Sequence, residues 1–224
     1  MTYCPYLLSR GLVTKDDVIE QMKMYELYME FVNLNKTLEA NVLSYSMLLF
    51  CSIKGGYLDY YDINYYLFDN PTNDQANSLQ TYLNDPNVKI AFNANHTFVM
   101  SSKKVLLFML DDFNLSEKSI LKNLLQNGLP VLLYNGFDDI ICNYIGTEIL
   151  SSVIDWSGQE EFNNATFNDA YLDNQQVSKY KYYSGLTFNI VYNTGHIVSF
   201  FQPQVALNMF ETYLKNYNLT WVGN

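Results

Sequence analysis

Apolar positions follow a helical period near the start of the chain and lose it further on. Thr14 is a favourable N-cap, and the apolar residues after it recur every three or four positions, as on one helix face: Val18, Met22, Tyr25, Met29 and Val32. Between positions 43 and 87 this period is absent, and frequent Tyr, Asp and Asn predict irregular structure with short elements. Asp85 before Pro86 then predicts a short helix that extends to Phe92.

The second half of the chain alternates helical patterns with short apolar runs. Residues 116–128 predict a helix that is stopped by Gly128 and Pro130, and residues 130–134 form an apolar run typical of a strand buried on both faces. After a helical stretch, residues 186–192 predict a second strand. A terminal helix then starts at Pro203, and one of its faces carries Val205, Met209, Tyr213 and Tyr217. This order predicts an α/β fold with two parallel strands.

Composition narrows the class of protein. The 224 residues are 49% hydrophobic and 16% aromatic, as in a globular chain, and the net charge of −10 leaves no basic surface for a nucleic-acid partner. The start of the chain does not resemble a signal peptide, and the apolar segment 42–53 is too short to span a bilayer core of roughly 30 Å, so no membrane contact is expected. Five Asn-X-Ser/Thr sequons weakly favour a secretory or lysosomal setting: Asn35, Asn95, Asn114, Asn164 and Asn218.

Cysteine and histidine usage limits the metal chemistry. The three cysteines are compatible with one disulfide and one free thiol, and too few for a disulfide framework. His96 and His196 are the only histidines, and no Cys/His spacing fits a zinc site. The sequence therefore predicts neither a metal nor a cofactor.

The loops that follow the two predicted strands contain acid–base residues. Asp138 and Asp139 follow the first strand, and His196 follows the second. The carboxyl ends of parallel strands lie at one edge of a sheet, so a carboxylate there can orient the imidazole and stabilise its positive charge. Adjacent residues in extended backbone point in opposite directions, so only one of the two aspartates is expected to face His196.

Two segments resemble the serine carboxypeptidase family, peptidase family S10. They are YNGFDDIICNYIGTE at 134–148 and TGHIVSFFQPQVAL at 194–207. The match places the family's catalytic aspartate on Asp139 and its catalytic histidine on His196, and it leaves Asp138 as a variable loop position. It also implies that Cys142 and Ile197 contact the substrate. Ser199 departs from the family pattern, which usually has Pro there.

The resemblance extends to 7–18, 60–63 and 82–92, and it implies a partial α/β-hydrolase fold. Residues 1–115 would form a mostly helical cap insertion. Residues 116–224 would form the C-terminal part of the core, with the last two parallel strands and their flanking helices. The first of these strands is expected to expose an unpaired apolar edge.

The nucleophile that such an enzyme needs is absent from the sequence, because no Gly-x-Ser-x-Gly motif occurs in it. The resemblance implies a serine-type carboxypeptidase that releases C-terminal residues from peptides, with a lysosomal, vacuolar or secreted location. The serine would lie either upstream in the same polypeptide, of which this sequence is the C-terminal part, or on a separate N-terminal chain. This chain alone is predicted to be inactive. Two alternatives stay open: a non-catalytic remnant that acts as a binding module, and an acyltransferase or esterase of the same fold.

Overall fold

The computed structural model describes residues 1–67 and 69–216. The predicted positions Tyr217 and Asn218 lie outside this part of the chain. Its elements, apart from a 3-10 turn at Asp112–Asn114, are helices α1 to α11 and strands β1 to β4. In chain order they are α1 Tyr3–Ser9, α2 Lys15–Asn33, α3 Thr37–Lys54, α4 Thr72–Leu83, α5 Pro86–Ala91, α6 Lys103–Phe108, α7 Lys118–Gln126, β1 Val131–Gly136, α8 Tyr144–Ser152, α9 Gln159–Asn164, β2 Asn168–Leu172, β3 Gln175–Tyr183, β4 Leu186–Val191, α10 Val198–Phe201 and α11 Pro203–Asn216.

The four strands form one mixed sheet in the order β1-β4-β3-β2. Strands β1 and β4 are parallel, with Val131 opposite Leu186 and Gly136 opposite Val191, which confirms the predicted parallel pair. Strand β3 pairs antiparallel with both β4 and β2. The prediction of only helical structure between β1 and β4 was therefore wrong, because it omitted the β2–β3 hairpin.

The hairpin has a recognisable local cause. Asp173 and Asn174 join β2 to β3 and both have positive φ, of 49° and 61°. Two consecutive residues with positive φ give the turn whose twist fits a two-residue hairpin, and Asp and Asn tolerate that conformation. Polar residues dominate both strands, which suits antiparallel strands with one solvated face.

Burial along the parallel pair differs from the prediction for the first strand. Tyr134 is 49% exposed and its neighbours Leu132 and Leu133 are only half-buried, so β1 is not buried on both faces along its length. All six residues of β4 are buried. The cause is the strand order, because β4 lies between two strands whereas β1 lies at the edge of the sheet.

The prediction of irregular structure from 43 to 87 was wrong for two helices, α3 and α4. Polar side chains on the inner face of α3 hide its period. Asn41 donates from Nδ2 to the carbonyl oxygens of Thr37 and Leu110, and Ser52 donates to the carbonyl oxygen of Leu58. A helix whose buried positions are partly polar loses the apolar pattern that predicts it.

The other predicted helices are present. A capping box between Thr14 and Asp17 starts α2, and the Asp85 side chain accepts two backbone N–H groups at the start of α5. On α2, Gln21 is buried whereas Met22 is 55% exposed, so the inner face is rotated from the predicted apolar stripe. Residues 118–126 and 203–216 form α7 and α11, as their patterns predict.

A disulfide between Cys4 and Cys51 joins α1 to α3 and leaves Cys142 as the free thiol. Cys4 and Cys51 lie in a buried cluster that includes Tyr6 and Ile140, so the first half of the chain packs against the loop that follows β1. In the part of the chain that the structure describes, no helix has both the length and the apolar character to span a bilayer.

Candidate functional site

Three loops meet at the carboxyl ends of β1 and β4. Residues 137–143 follow β1, residues 192–197 follow β4, and residues 59–65 come from the first half of the chain. Two glycines allow the close approach. A Cβ on Gly136 would overlap the carbonyl oxygens of Thr194 and Gly195, and a Cβ on Gly195 would overlap the carbonyl oxygen of Tyr61. The loops therefore touch backbone to backbone.

The site is centred on a hydrogen bond between His196 and Asp139. The His196 Nδ1–H donates to Asp139 Oδ2 over 2.9 Å, although the two residues are 57 positions apart in the sequence. Asp139 is 2% exposed, and its other oxygen accepts the backbone N–H of Cys142 at 3.1 Å. The His196 side chain is 38% exposed, so the imidazole is held by a buried carboxylate and is also open to solvent.

The environment of His196 strongly favours its protonated form. The hydrogen bond to Asp139 is the largest cause and the Cys142 side chain is the next, and together they raise the pKa of His196 to about 10 against the opposing effect of burial. This direction favours an imidazolium–carboxylate ion pair between His196 and Asp139.

The neighbouring aspartate faces another set of groups. Asp138 accepts Arg10 Nη2 at 2.9 Å and Asn64 Nδ2 at 3.1 Å, and it is 5% exposed. These groups line a cavity of about 630 Å³ that also includes Asp62. The separation of Asp138 from Asp139 follows the expectation that adjacent side chains diverge. Arg10 compensates the buried charge of Asp138.

A second cavity, of about 530 Å³, adjoins the imidazole. His196 and Ile197 line it together with side chains from the first half of the chain. Its apolar lining residues include Tyr61, Leu79, Met100 and Phe200. Ile197 is 41% exposed, so its side chain is accessible from this cavity.

Cys142 lies on the same side of the 137–143 loop as Asp139. A carboxylate oxygen of Asp139, the Cys142 sulfur and a ring nitrogen of His196 all lie within 4.8 Å of one another. These three groups are the one cluster of potential metal ligands found among the described residues. The carboxylate and the imidazole already bind each other, which competes with their use as ligands.

Sequence reasoning assigned no role in the site to the 59–65 loop. Tyr61 packs its ring against His196, with centroids 5.2 Å apart, and Asp62 accepts the backbone N–H of Gly195 at 3.1 Å. The available signal was the pair of aspartates three residues apart, Asp59 and Asp62, within a Tyr-rich stretch. Nothing local shows that the Asp62 side chain binds a loop more than 130 residues away.

A parallel strand pair with an aspartate and a histidine at its carboxyl end is the arrangement of an α/β-hydrolase. The chain belongs to the serine carboxypeptidase family, whose sequence model matches residues 2–216. It resembles a solved structure of a prohormone-processing carboxypeptidase from Saccharomyces cerevisiae, with a TM-score of 0.76 at 19% identity, over 96% of this chain and 51% of that one. This match supports the fold alone.

Proteins of similar sequence support the same family assignment. Serine carboxypeptidase-like 48 of Arabidopsis thaliana is 32% identical over 161 residues, which is 71% of this chain and 31% of the relative. A serine carboxypeptidase-like protein of Pisum sativum is 28% identical over 95% of this chain and 77% of its own length. Carboxypeptidase Y of Schizosaccharomyces pombe is 28% identical over 62% of this chain and 14% of that protein. The chain spans less than half the length of the first three of its curated relatives.

Proposed function

We propose that this chain supplies the histidine and the aspartate of a serine-type carboxypeptidase site. The observation that carries the proposal is the Nδ1–Oδ2 hydrogen bond between His196 and the buried Asp139 at the ends of two parallel strands. Family membership supports it, since curated members are named carboxypeptidases. The proposed substrate is the C-terminus of a peptide.

In the proposed reaction a serine hydroxyl attacks the carbonyl of the last peptide bond. His196 Nε2 takes the hydroxyl proton and then gives it to the leaving amine, while Asp139 holds the opposite ring nitrogen and stabilises the imidazolium. The 224 residues contain no Gly-x-Ser-x-Gly motif, so we propose that the serine lies on a polypeptide segment outside them.

Two further side chains are proposed substrate contacts. Ile197 lines the apolar cavity beside His196, which would suit an apolar side chain next to the bond that is cleaved. The exposed Cys142 thiol lies beside the same imidazole and would contact the substrate from the 137–143 loop. Both roles place substrate against the solvent-exposed side of the His196–Asp139 pair.

Reconstitution tests the proposed function directly. The serine-bearing segment is sought in the transcript 5′ of the Met1 codon, and it is expressed with this chain. We expect no hydrolysis of a blocked dipeptide by the chain alone and measurable release of the terminal residue by the pair. His196→Ala should lower the rate of the pair by about 10,000-fold or more, because removing one member of such a triad removes most of the rate.

His96→Ala is the matched control, since His96 is exposed and lies outside the site. It should retain the activity of the pair. Hydrolysis by the chain alone that is lost in His196→Ala would contradict the missing-serine proposal. If no serine-bearing segment exists, the chain is a non-catalytic remnant, and acyl transfer in place of hydrolysis would indicate the acyltransferase alternative.

We also propose a lysosomal, vacuolar or secreted location. The Cys4–Cys51 disulfide supports it, because disulfides persist in oxidising compartments and are rare in the cytosol. The sequons give a second support. Asn35, Asn95 and Asn164 are exposed, as an acceptor for N-glycosylation needs to be.

Asn114 is the exception among the described sequons and gives a prediction. Its Nδ2, the atom to which a glycan attaches, is buried, and its Oδ1 accepts the Tyr28 hydroxyl at 3.0 Å. In a eukaryotic secretory host, mass spectrometry before and after glycan removal should find glycans among Asn35, Asn95 and Asn164 but not on Asn114. Asn114→Gln should leave the glycan mass unchanged. A glycan on Asn114, or none on the chain, would contradict the prediction.

A further inference from the structure

The 59–65 loop holds the backbone on both sides of the proposed site. The carbonyl oxygen of Tyr61 accepts the backbone N–H of His196 at 2.7 Å. The carbonyl oxygen of Tyr60 accepts the N–H groups of Ile140 at 3.2 Å and Ile141 at 3.0 Å, directly after Asp139. One short loop therefore binds the histidine itself and the residues next to the aspartate.

Asp62 adds a side-chain bond from the interior of this loop. It is 2% exposed, and its Oδ2 accepts the N–H of Gly195 at 3.1 Å, immediately before His196. Its Oδ1 accepts both the backbone N–H of Asn64 at 2.9 Å and Asn64 Nδ2 at 2.8 Å. Burial is the largest influence on the Asp62 carboxyl group, and it raises the pKa of that group. The hydrogen bonds from Gly195 and Asn64 therefore compensate a carboxyl group that has lost its contact with water.

The loop keeps its shape through a second buried aspartate. Asp59 is 4% exposed, and its Oδ1 accepts the N–H groups of Tyr61 at 2.8 Å and Asp62 at 3.1 Å, together with Asn70 Nδ2 at 3.2 Å. The carboxylate oxygens of both aspartates therefore accept N–H groups of the protein, although Asp62 also lies in the lining of the 630 Å³ cavity. Asp59 orders the loop, and Asp62 joins it to the residue before His196.

The 59–65 loop also binds Asp138, the residue that precedes Asp139. The N–H of Ile63 donates to the carbonyl oxygen of Asp138 at 2.9 Å, and Asn64 Nδ2 donates to the Asp138 side chain at 3.1 Å. Residues 138 and 140 are thus both bonded to this loop, on either side of Asp139. A shift of the loop would move both ends of the His196–Asp139 hydrogen bond.

We propose that Asp62 is a positioning residue that sets the geometry of the His196–Asp139 pair through the backbone N–H of Gly195. Its importance for catalysis rests on the proposed function, but its effect on the imidazole does not. Removal of the Oδ2 acceptor would leave the Gly195 N–H buried without a partner. The Gly195–His196 backbone would then shift to satisfy it and would weaken the bond to Asp139.

The test compares Asp62→Asn with Asp62→Leu in the ¹⁵N-labelled 224-residue chain. Both substitutions remove the charge and keep a similar size, but only Asn keeps an oxygen that can accept the Gly195 N–H. The readouts are the His196 Nδ1–H resonance and the imidazole titration, assigned with His96→Gln. We expect Asp62→Leu to broaden the resonance and to lower the pKa of His196 by about one unit or more. Asp62→Asn should have a clearly smaller effect, because its amide oxygen can still accept the Gly195 N–H even though its NH₂ group then faces the two donors of Asn64.

Equal effects of Asn and Leu, or a folded Asp62→Leu chain with an unchanged His196 signal, would overturn the proposal. Should Asp62→Leu not fold, Asn64→Ala takes its place at an exposed position, and it should shift the same resonance in the same direction. In the wild-type chain, rapid hydrogen exchange of the Gly195 and His196 amides would also overturn the proposal. An intact His196 signal with no activity after reconstitution would instead count against the proposed function.

Discussion

Replacement of Asp139 by Asn is expected to lower the pKa of His196 from about 10 toward its ordinary value of 6.5. Asp139 contributes the largest part of the upward shift through the bond to Nδ1, and an amide cannot match the attraction of a carboxylate for an imidazolium. The imidazole ¹H and ¹⁵N signals, followed from pH 5 to pH 11, measure the change. His96→Gln assigns them, because the chain has two histidines.

The same shift fixes how stability depends on pH. The folded pKa of His196 lies above its unfolded value, so the pair contributes stability fully below about pH 6.5 and loses it as the pH rises to about 10. Thermal melts of the wild-type chain should therefore show a decline between these values. Asp139→Asn should remove most of that decline.

Asp138→Asn is the matched control, since Asp138 is adjacent in sequence and faces Arg10 instead of His196. It should leave the titration of His196 close to the wild type. If the pKa of His196 fell equally in both variants, the negative charge of the loop as a whole would raise that pKa, and the hydrogen bond to Asp139 would not. An unchanged pKa in Asp139→Asn would contradict the bond itself.

The raised pKa has a consequence for the proposed reaction. A general base must be neutral, whereas the raised pKa favours the protonated form of His196. We therefore expect the reconstituted activity to rise with pH unless the serine-bearing segment lowers the pKa of His196. In that assembly Asp139→Asn should reduce kcat by about 10,000-fold, because the imidazole loses the group that holds its productive tautomer.

Local signals predicted that an aspartate of the 138–139 pair would lie near His196, and the family resemblance selected Asp139, the one that the structure places against the imidazole. Asp139 and His196 each follow a short apolar strand, and the order of the strands indicates a parallel pair whose carboxyl ends coincide. The capping signals at Thr14 and Asp85 are equally local, and both helices start where these residues predict. Patterns within a few residues thus predicted the two helix starts and the parallel strand pair that the structure contains.

The parts that escaped prediction depend on distant contacts. Helix α3 is hidden because Asn41 and Ser52 are buried with partners that only the folded chain brings close. Asp62 looked like one more polar residue in a Tyr-rich segment, yet it bonds to Gly195 across 133 positions. Such a bond has no periodic or capping pattern, so a single sequence does not reveal it.

Gly195→Ala is expected to cause a large loss of stability. The added Cβ would overlap the Tyr61 carbonyl oxygen and would lie 2.6 Å from Asp62 Cβ and 2.9 Å from its Cα. These atoms are held by the bonds from His196 and Gly195, so they cannot move without breaking the attachment of the 59–65 loop. Overpacking against backbone of this kind should lower the free energy of unfolding by about 3 kcal/mol.

Gly55→Ala is the control, because its Cβ would meet chiefly the movable end of the Leu58 side chain, at 2.7 Å. We expect it to cost about 1 kcal/mol, since a flexible side chain can turn away. Urea denaturation of both variants measures the difference in their free energies of unfolding. The two values can be compared when the free energy falls with urea concentration at the same slope in both variants. A Gly195→Ala chain as stable as Gly55→Ala, with the His196 Nδ1–H resonance in place, would show that the loops can separate without disturbing the pair. Loss of both stability and resonance would show that the backbone contact between the 59–65 and 192–197 loops is what holds His196 against Asp139.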